Sequence, residues 1–470
     1  MTRALPLRFR RVADDTAIVA DEAGRFFRSN MSFVSRLADG HLTPTDKAFL
    51  DSRGFLLGKE DQLNETSFLY ALAQRLQPPK PLSYVILIPT LRCDLSCAYC
   101  QVSRAAQTAK GYDWSEETLQ AVLQYLDEHG GESIQIEFQG GEPSLRLDLL
   151  ERVVQFARAR FSKPQFVVCT NLSSIDSAFA DFMASEDVYI STSLDGPSWL
   201  HEVQRTQNSD RTSRFFSNLS KACDLAPGRV HALPTLDVNR LPEPNELLDA
   251  FDAFGLRSIY LRPVSYHGFA RKHHPTSVGY DPRWSNFYSS VIHAMISRNT
   301  SNCGAAWEEF YLTHLIKRLL RPGENSHADI RSPNWLGYDH LVIDYDGVLY
   351  PTDEARMLAR TGQVDLNLGN VQNGLDLGRR AQMQAAAFNA LDPWCSRCPY
   401  QSACGRDPID DLARHGHVNP PRPRTAFCQR HTHLFDLAAS LIYSDCPDTQ
   451  LSLSKWLELP VPTKLGEQHL

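Results

Sequence analysis

Residues 90–104 read TLRCDLSCAYCQVSR and place Cys93, Cys97 and Cys100 within eight positions, spaced C-x3-C-x2-C. The run SYVILIPT (83–90) ends where they begin, so the loop follows an apolar strand. A structural zinc or iron–sulfur site is usually closed by four protein ligands, and here the local run stops at three. Three thiolates on a [4Fe–4S] cube leave one iron without a protein ligand, where an exchangeable ligand can bind. The other reading is a zinc knuckle completed by a distant Cys or His.

Outward from this loop, strand and helix patterns alternate. WSEETLQAVLQYLDEHGG (114–131) puts Leu119, Val122, Leu123 and Leu126 on one helical face and stops at Gly130-Gly131. ESIQIEFQGGEPS (132–144) alternates Ile134, Ile136 and Phe138 along a strand. Strands QFVVCTN (165–171), DVYISTSLDG (187–196), VHALPTLDV (230–238) and SIYLRPVS (258–265) follow, separated by helical stretches. Six strands alternating with helices imply right-handed crossovers and a parallel sheet, with the site at the strands' C-terminal ends. The polar and glycine motifs stand at those ends. The fold expected is α/β, a partial (β/α)6 TIM-like barrel over 81–275.

Each strand end offers candidates. In QGGEP, Gly140 and Gly141 let backbone approach a ligand closely, and the Glu142 carboxylate can pair with an ammonium. Asn171, Ser193 and Asp195 can hold hydroxyls or a carboxylate, and Arg205 can pair with a carboxylate; the plain reading of the first three is turn capping. Arg262, Tyr266 and His267 follow the sixth strand.

A second group, WCSRCPYQSACGRDP (394–408), gives Cys395, Cys398 and Cys404, with Cys428 further on. Four thiolates make a closed site, suited to a second [4Fe–4S] cluster or to zinc. Cys169, Cys223, Cys303 and Cys446 lie apart and read as small buried hydrophobes.

The cysteine loop, GGEP and the strand-end motifs together resemble the radical S-adenosylmethionine (SAM) superfamily. The resemblance implies that the open iron is chelated by the amino and carboxylate groups of SAM, with Gly140, Gly141, Glu142, Asn171, Ser193, Asp195 and Arg205 around it. C-x2-C-x5-C after such a core resembles the SPASM extension, which carries auxiliary iron–sulfur clusters. The family pattern has further cysteines where this chain has Pro408 and, in LYPTDEAR, Thr352-Asp353. One auxiliary cluster is therefore expected, on Cys395, Cys398, Cys404 and Cys428. CAYCQVSR, EFQGGEP and LRPVSYHGFA most resemble maturases of His-Xaa-Ser peptide systems. The implied function is reductive cleavage of SAM and hydrogen abstraction from a ribosomally made precursor peptide, a crosslink being the expected product. Two alternatives are a formylglycine-forming enzyme like the anaerobic sulfatase maturases, and a non-enzymatic zinc or iron–sulfur scaffold. The sequence points to no catalytic acid or base.

The remaining chain fits this frame. In RFRRVADDTAIVADEAGRFFRSN (8–30) two short strands around Asp21-Glu22-Ala23-Gly24 are expected, followed by short helices in MSFVSRLADG and PTDKAFLDSRGFL. Residues 1–80 thus read as a winged-helix-like module before the QPPKP linker. It resembles the element of peptide maturases that docks a precursor as an added strand. Residues 276–390 read as a helical bridge with a hairpin turning at Asp346-Gly347, and 391–470 as the auxiliary-cluster segment with a C-terminal helix. The expected electron donor is a flavodoxin or ferredoxin. The net charge of −7, with no basic stripe, argues against nucleic acid. With no apolar run of membrane-spanning length and no secretion signal, no membrane partner is expected and the location is cytoplasmic.

Overall fold

The apolar strand before the cysteine loop, Leu82–Leu87, is central in the sheet rather than at its edge. The computed structural model describes residues 3–58, 62–77, 81–100, 104–265, 267–268, 270–273, 279–301, 305–321, 331–460 and 463–466. Its largest sheet has seven strands, in the order Val230–Ala232, Val188–Thr192, Lys163–Cys169, Gly130–Phe138, Leu82–Leu87, His340–Ile343 and Leu349–Tyr350. Neighbouring strands are parallel up to His340–Ile343, and only the last pairing is antiparallel.

The period-2 pattern divides the sheet into two faces. Val85, Ile136, Phe166 and Val188 lie in register and are fully buried, in the core with helices such as Glu116–His129 and Leu147–Arg160. The alternate positions Tyr84, Gln135, Glu137, Val167 and Tyr189 face a central cavity. Gly130 accepts no side chain, because a Cβ would sit 2.7 Å from Leu126 O and from the Phe161 ring.

Two expectations change here. The hairpin assigned to the bridge region joins the sheet: Leu341 pairs with Val85, and the His340 and Tyr84 rings stack 4.7 Å apart. The fifth and sixth strands break into short pieces. Pro234 interrupts the fifth, and Pro263, with no N–H, ends the sixth. Arg262–Pro263 pairs with Thr235–Leu236, whereas Ser258–Ile259 pairs with Glu308–Glu309.

At the N-terminus, 8–29 forms three antiparallel strands, Arg8–Ala13, Thr16–Ala20 and Phe26–Ser29, because Asp14-Asp15 makes a turn additional to the expected one at 21–24. Helices Met31–Ala38 and Pro44–Ser52 follow, the second opened by a capping box between Thr43 and Asp46. One sheet face, with Ala17, Val19 and Phe27, forms a small core with Phe33, Leu50 and Phe55. The other face, with Ile18 and Phe26, turns to the C-terminal part of the chain, where Phe26 meets the Tyr443 ring edge-on at 6.1 Å. Among the described residues no helix is long and apolar enough to cross a membrane.

Candidate functional site

The three-cysteine loop is held by the glycine turn. Gly141 N donates to Thr90 O at 3.0 Å and Glu142 N to Arg92 O at 2.7 Å. A Cβ on Gly140, whose φ is +136°, would lie 2.2 Å from Thr90 O; one on Gly141 would lie 2.1 Å from Arg92 O. Both glycines line the cavity, but the close approach that requires them is to the cysteine loop itself.

Cys93, Cys97 and Cys100 all line the same cavity, of about 810 Å³. Cys97 lies within electrostatic reach of both Cys93 and Cys100. Burial pushes the Cys93 thiol up to about 12 and raises Cys97, so a metal must displace protons here. Leu95 N points at Cys93 Sγ (3.4 Å), and the Asn171 amide lies 3.8 Å from it. The Arg205 guanidinium eases the Cys97 thiolate. Three thiols, an adjacent cation and the Leu95 N–H fit an iron–sulfur cube.

The expected SAM contacts divide into two groups. Gly140, Gly141, Asn171, Ser193 and Arg205 line the cavity. Glu142 and Asp195 lie behind its wall. The Glu142 carboxylate is buried and accepts from Asn171 N (2.7 Å), Thr170 Oγ1 (2.8 Å) and Ser144 N (3.2 Å), which fixes the turn. Asp195 is fully buried and accepts from Tyr99 Oη, Gln204 Nε2 and Thr235 N. Burial raises both carboxyls above their usual range.

Other cavity residues carried no sequence signal. Thr192 Oγ1 is buried at the wall with no hydrogen-bond partner. Cys169, expected to be an inert hydrophobe, donates to Glu137 Oε1 at 3.1 Å, and Tyr84 donates to the other oxygen at 2.6 Å. The far side of the cavity is built from C-terminal residues, including Asp353, Glu354, Asp410 and Arg414. His267 reaches it: its Nε2 lies 3.7 Å from Asp410 Oδ1, and burial lowers its pKa. Arg262 lines the cavity; Tyr266, with Cys303, lies outside the described residues. Cys223 is half-buried, and Cys446 is exposed rather than buried.

The second cysteine group also converges. Cys404 feels Cys395, Cys398 and Cys428, and Cys395 feels Cys398 and Cys428. Burial raises all four thiols, Cys395 to about 12. Cys398 N bonds back to Cys395 O, Cys404 N to Tyr400 O, and Cys428 N to its helix cap Thr425 Oγ1. Among the described residues no three His, Cys, Asp or Glu side chains close round a single metal ion. Four converging thiols with Arg10 and Arg422 in reach suit a cluster that carries several thiolate charges.

Comparison with known proteins agrees with this geometry. Residues 87–235 match the model of the Radical SAM superfamily. An uncharacterized protein of Methanocaldococcus jannaschii is 26% identical over 181 residues, 38% of this chain and 61% of that protein. A second, of Methanothermobacter thermautotrophicus, is 31% identical over 140 residues, 28% of this chain and 51% of that protein. The cysteine-type anaerobic sulfatase-maturating enzyme of Clostridium perfringens is 26% identical over 152 residues, 31% of this chain and 40% of that protein. The alignments thus reach less than two thirds of these relatives' own lengths. Among solved structures, native anSMEcpe with bound AdoMet and Cp18Cys peptide has TM-score 0.63 at 18% identity, covering 77% of this chain and 97% of that chain. Streptococcus suis SuiB bound to its precursor peptide SuiA has TM-score 0.53 at 16% identity, covering 91% of this chain and all of that one. These structures share the fold.

Residues 87–235 of the chain form a radical SAM domain. A domain of this kind implies a [4Fe–4S] cluster and SAM as cofactors.

Proposed function

We propose that this enzyme modifies a ribosomally made peptide, with Cys93, Cys97 and Cys100 holding the SAM-binding cluster and Cys395, Cys398, Cys404 and Cys428 an auxiliary one. The observation that carries the reading is the cavity of about 810 Å³, which runs from the cysteine triad to C-terminal side chains such as Asp353 and Asp410. That space takes SAM and leaves room for a segment of chain. The peptides held by anSMEcpe and SuiB support it.

When bound, cluster and SAM supply one electron and a carbon-centred radical able to take hydrogen from an unactivated C–H. The chain's residues position and seclude that chemistry. Asn171, Ser193 and Arg205 offer polar contacts for SAM, Gly140 and Gly141 hold the loop against the sheet, and Tyr84, Val167 and Tyr189 wall the cavity against water. The N-terminal sheet is the proposed dock for the peptide, by addition of a strand. A flavodoxin or ferredoxin is the proposed reductant.

Anaerobic reconstitution tests the metal assignment. Roughly eight irons are expected, falling to roughly four when Cys93, Cys97 and Cys100 are replaced by Ala, with SAM cleaved by the wild type alone. Zinc at 395–428 would make that site structural. Co-expression with each small peptide encoded beside the gene tests the substrate. A crosslink appears as a loss of two hydrogens with fragments that stay joined, and a formylglycine as an aldehyde in place of a Cys or Ser. The latter is the second reading, favoured by the Clostridium perfringens match. An unchanged mass for every peptide would count against both.

A further inference from the structure

The N-terminal module and the second cysteine group meet through one short chain of side chains. Arg10, on the Arg8–Ala13 strand, grips Asp436 with two nitrogens: Nε to Oδ1 at 2.9 Å and Nη2 to Oδ2 at 2.9 Å. Tyr400 Oη donates to the same Oδ1 at 2.8 Å. Tyr400 lies between Cys398 and Cys404, and its carbonyl receives Cys404 N at 2.9 Å. Asp436 stands on the Ala426–Ile442 helix, whose first turn carries Cys428. Two further arginines tie the module to the same loop: Arg8 Nη1 reaches Gln401 Oε1 at 3.0 Å, and Arg75 Nη1 reaches it at 3.4 Å. Gln401 N bonds to Cys398 O.

We infer that Arg10 is a positioning residue for the second cysteine site, which couples the seating of the N-terminal module to the reduction potential of the cluster held there. The inference rests on the proposed iron–sulfur occupancy of Cys395, Cys398, Cys404 and Cys428. Its physical basis is charge. A tetrathiolate cluster is anionic and gains a further negative charge on reduction, so a nearby cation favours the reduced form. The Arg10 field reaches the sulfurs of Cys398 and Cys428. Withdrawal of the module removes this cation and leaves the Asp436 charge uncompensated beside Tyr400, which lowers the potential. A peptide that reseats the module thereby alters how readily the second cluster accepts an electron.

The test uses full-length reconstituted protein and needs no peptide. Iron and zinc are counted first in the wild type; zinc at 395–428 overturns the inference together with the iron–sulfur reading. With iron present, the potentials of both clusters are titrated by electron paramagnetic resonance. Arg10→Gln is expected to shift the second cluster negative and leave the first unchanged. Arg10→Lys should retain most of the wild-type value, and Asp436→Asn should shift it positive. Hydrogen exchange of the Arg8–Ala13 strand should quicken in Arg10→Gln. An unmoved potential in Arg10→Gln, with iron and folding intact, would leave Arg10 a merely structural clasp and overturn the coupling.

Discussion

The Arg205 guanidinium donates to the Tyr99 hydroxyl at 2.8 Å, which places a cation beside the cysteine triad through the residue that precedes Cys100. Tyr99 donates in turn to the Asp195 carboxylate at 2.8 Å, and Gln204 donates to the same group. All of these groups except Arg205 are buried to nine-tenths or more. Tyr99→Phe removes one hydroxyl from this network and leaves donor and acceptor unmatched. A loss of about 1–3 kcal/mol in anaerobic urea unfolding is expected. An unchanged midpoint would mean that the network does not brace the loop.

The glycines make a sharper case. Gly140→Ala combines a positive φ with overlap of the Thr90 carbonyl, and a cost of about 2–5 kcal/mol is expected. Gly111 also has positive φ, at +79°, but open space around it, so Gly111→Ala should cost about 1–2 kcal/mol. Equal losses in thermal unfolding would mean that backbone strain alone, and not the close approach to the cysteine loop, requires Gly140.

Glu142→Gln separates scaffold from ligand. Three donors point at the carboxylate, and an amide leaves at least one N–H facing an NH₂ group. A destabilisation of about 1–3 kcal/mol is expected, with SAM affinity weakened by less than about tenfold in anaerobic dialysis. Full stability with strongly weakened SAM binding would instead assign Glu142 to the ligand.

Glu309 sets a pH dependence. It is fully buried, accepts from Leu261 N (2.8 Å), Leu312 N (2.6 Å) and Tyr288 Oη (2.5 Å), and burial lifts its pKa from 4.5 to about 7. Between these values the folded state binds a proton that the unfolded state has released, so stability falls as pH rises from about 4.5 to 7 and then levels. The fall is about 3 kcal/mol. Glu309→Gln should flatten this limb of a urea-midpoint profile, and a profile as steep as the wild type would exclude Glu309 as its source.

Much of the site is legible in short-range pattern. The 93/97/100 spacing, the alternation of Ile134, Ile136 and Phe138, and the helix stop at Gly130 each depend on neighbours in sequence, so periodicity and ligand chemistry were enough to read them. Pairing across long separations was not legible. The hairpin at His340 reads as a hairpin anywhere, and only the folded sheet shows that it pairs along the side of Leu82–Leu87 opposite Gly130–Phe138. Asp353, Asp410 and Arg414 carry no local signal for the cavity, which they line only because the C-terminal part of the chain folds against it.

Local pattern in the sequence was enough for the strand-to-loop junction at the cysteine triad and for the alternating α/β order, because both depend on neighbours in the chain. Tertiary structure alone decided which carboxylates reach the cavity. Glu142 and Asp195 stand in ligand-like motifs but are buried and claimed by backbone N–H groups and hydroxyls, since a buried carboxylate must find partners wherever the fold supplies them. It also decided that Arg10 lies against Asp436, a contact between residues 426 positions apart that no local pattern encodes.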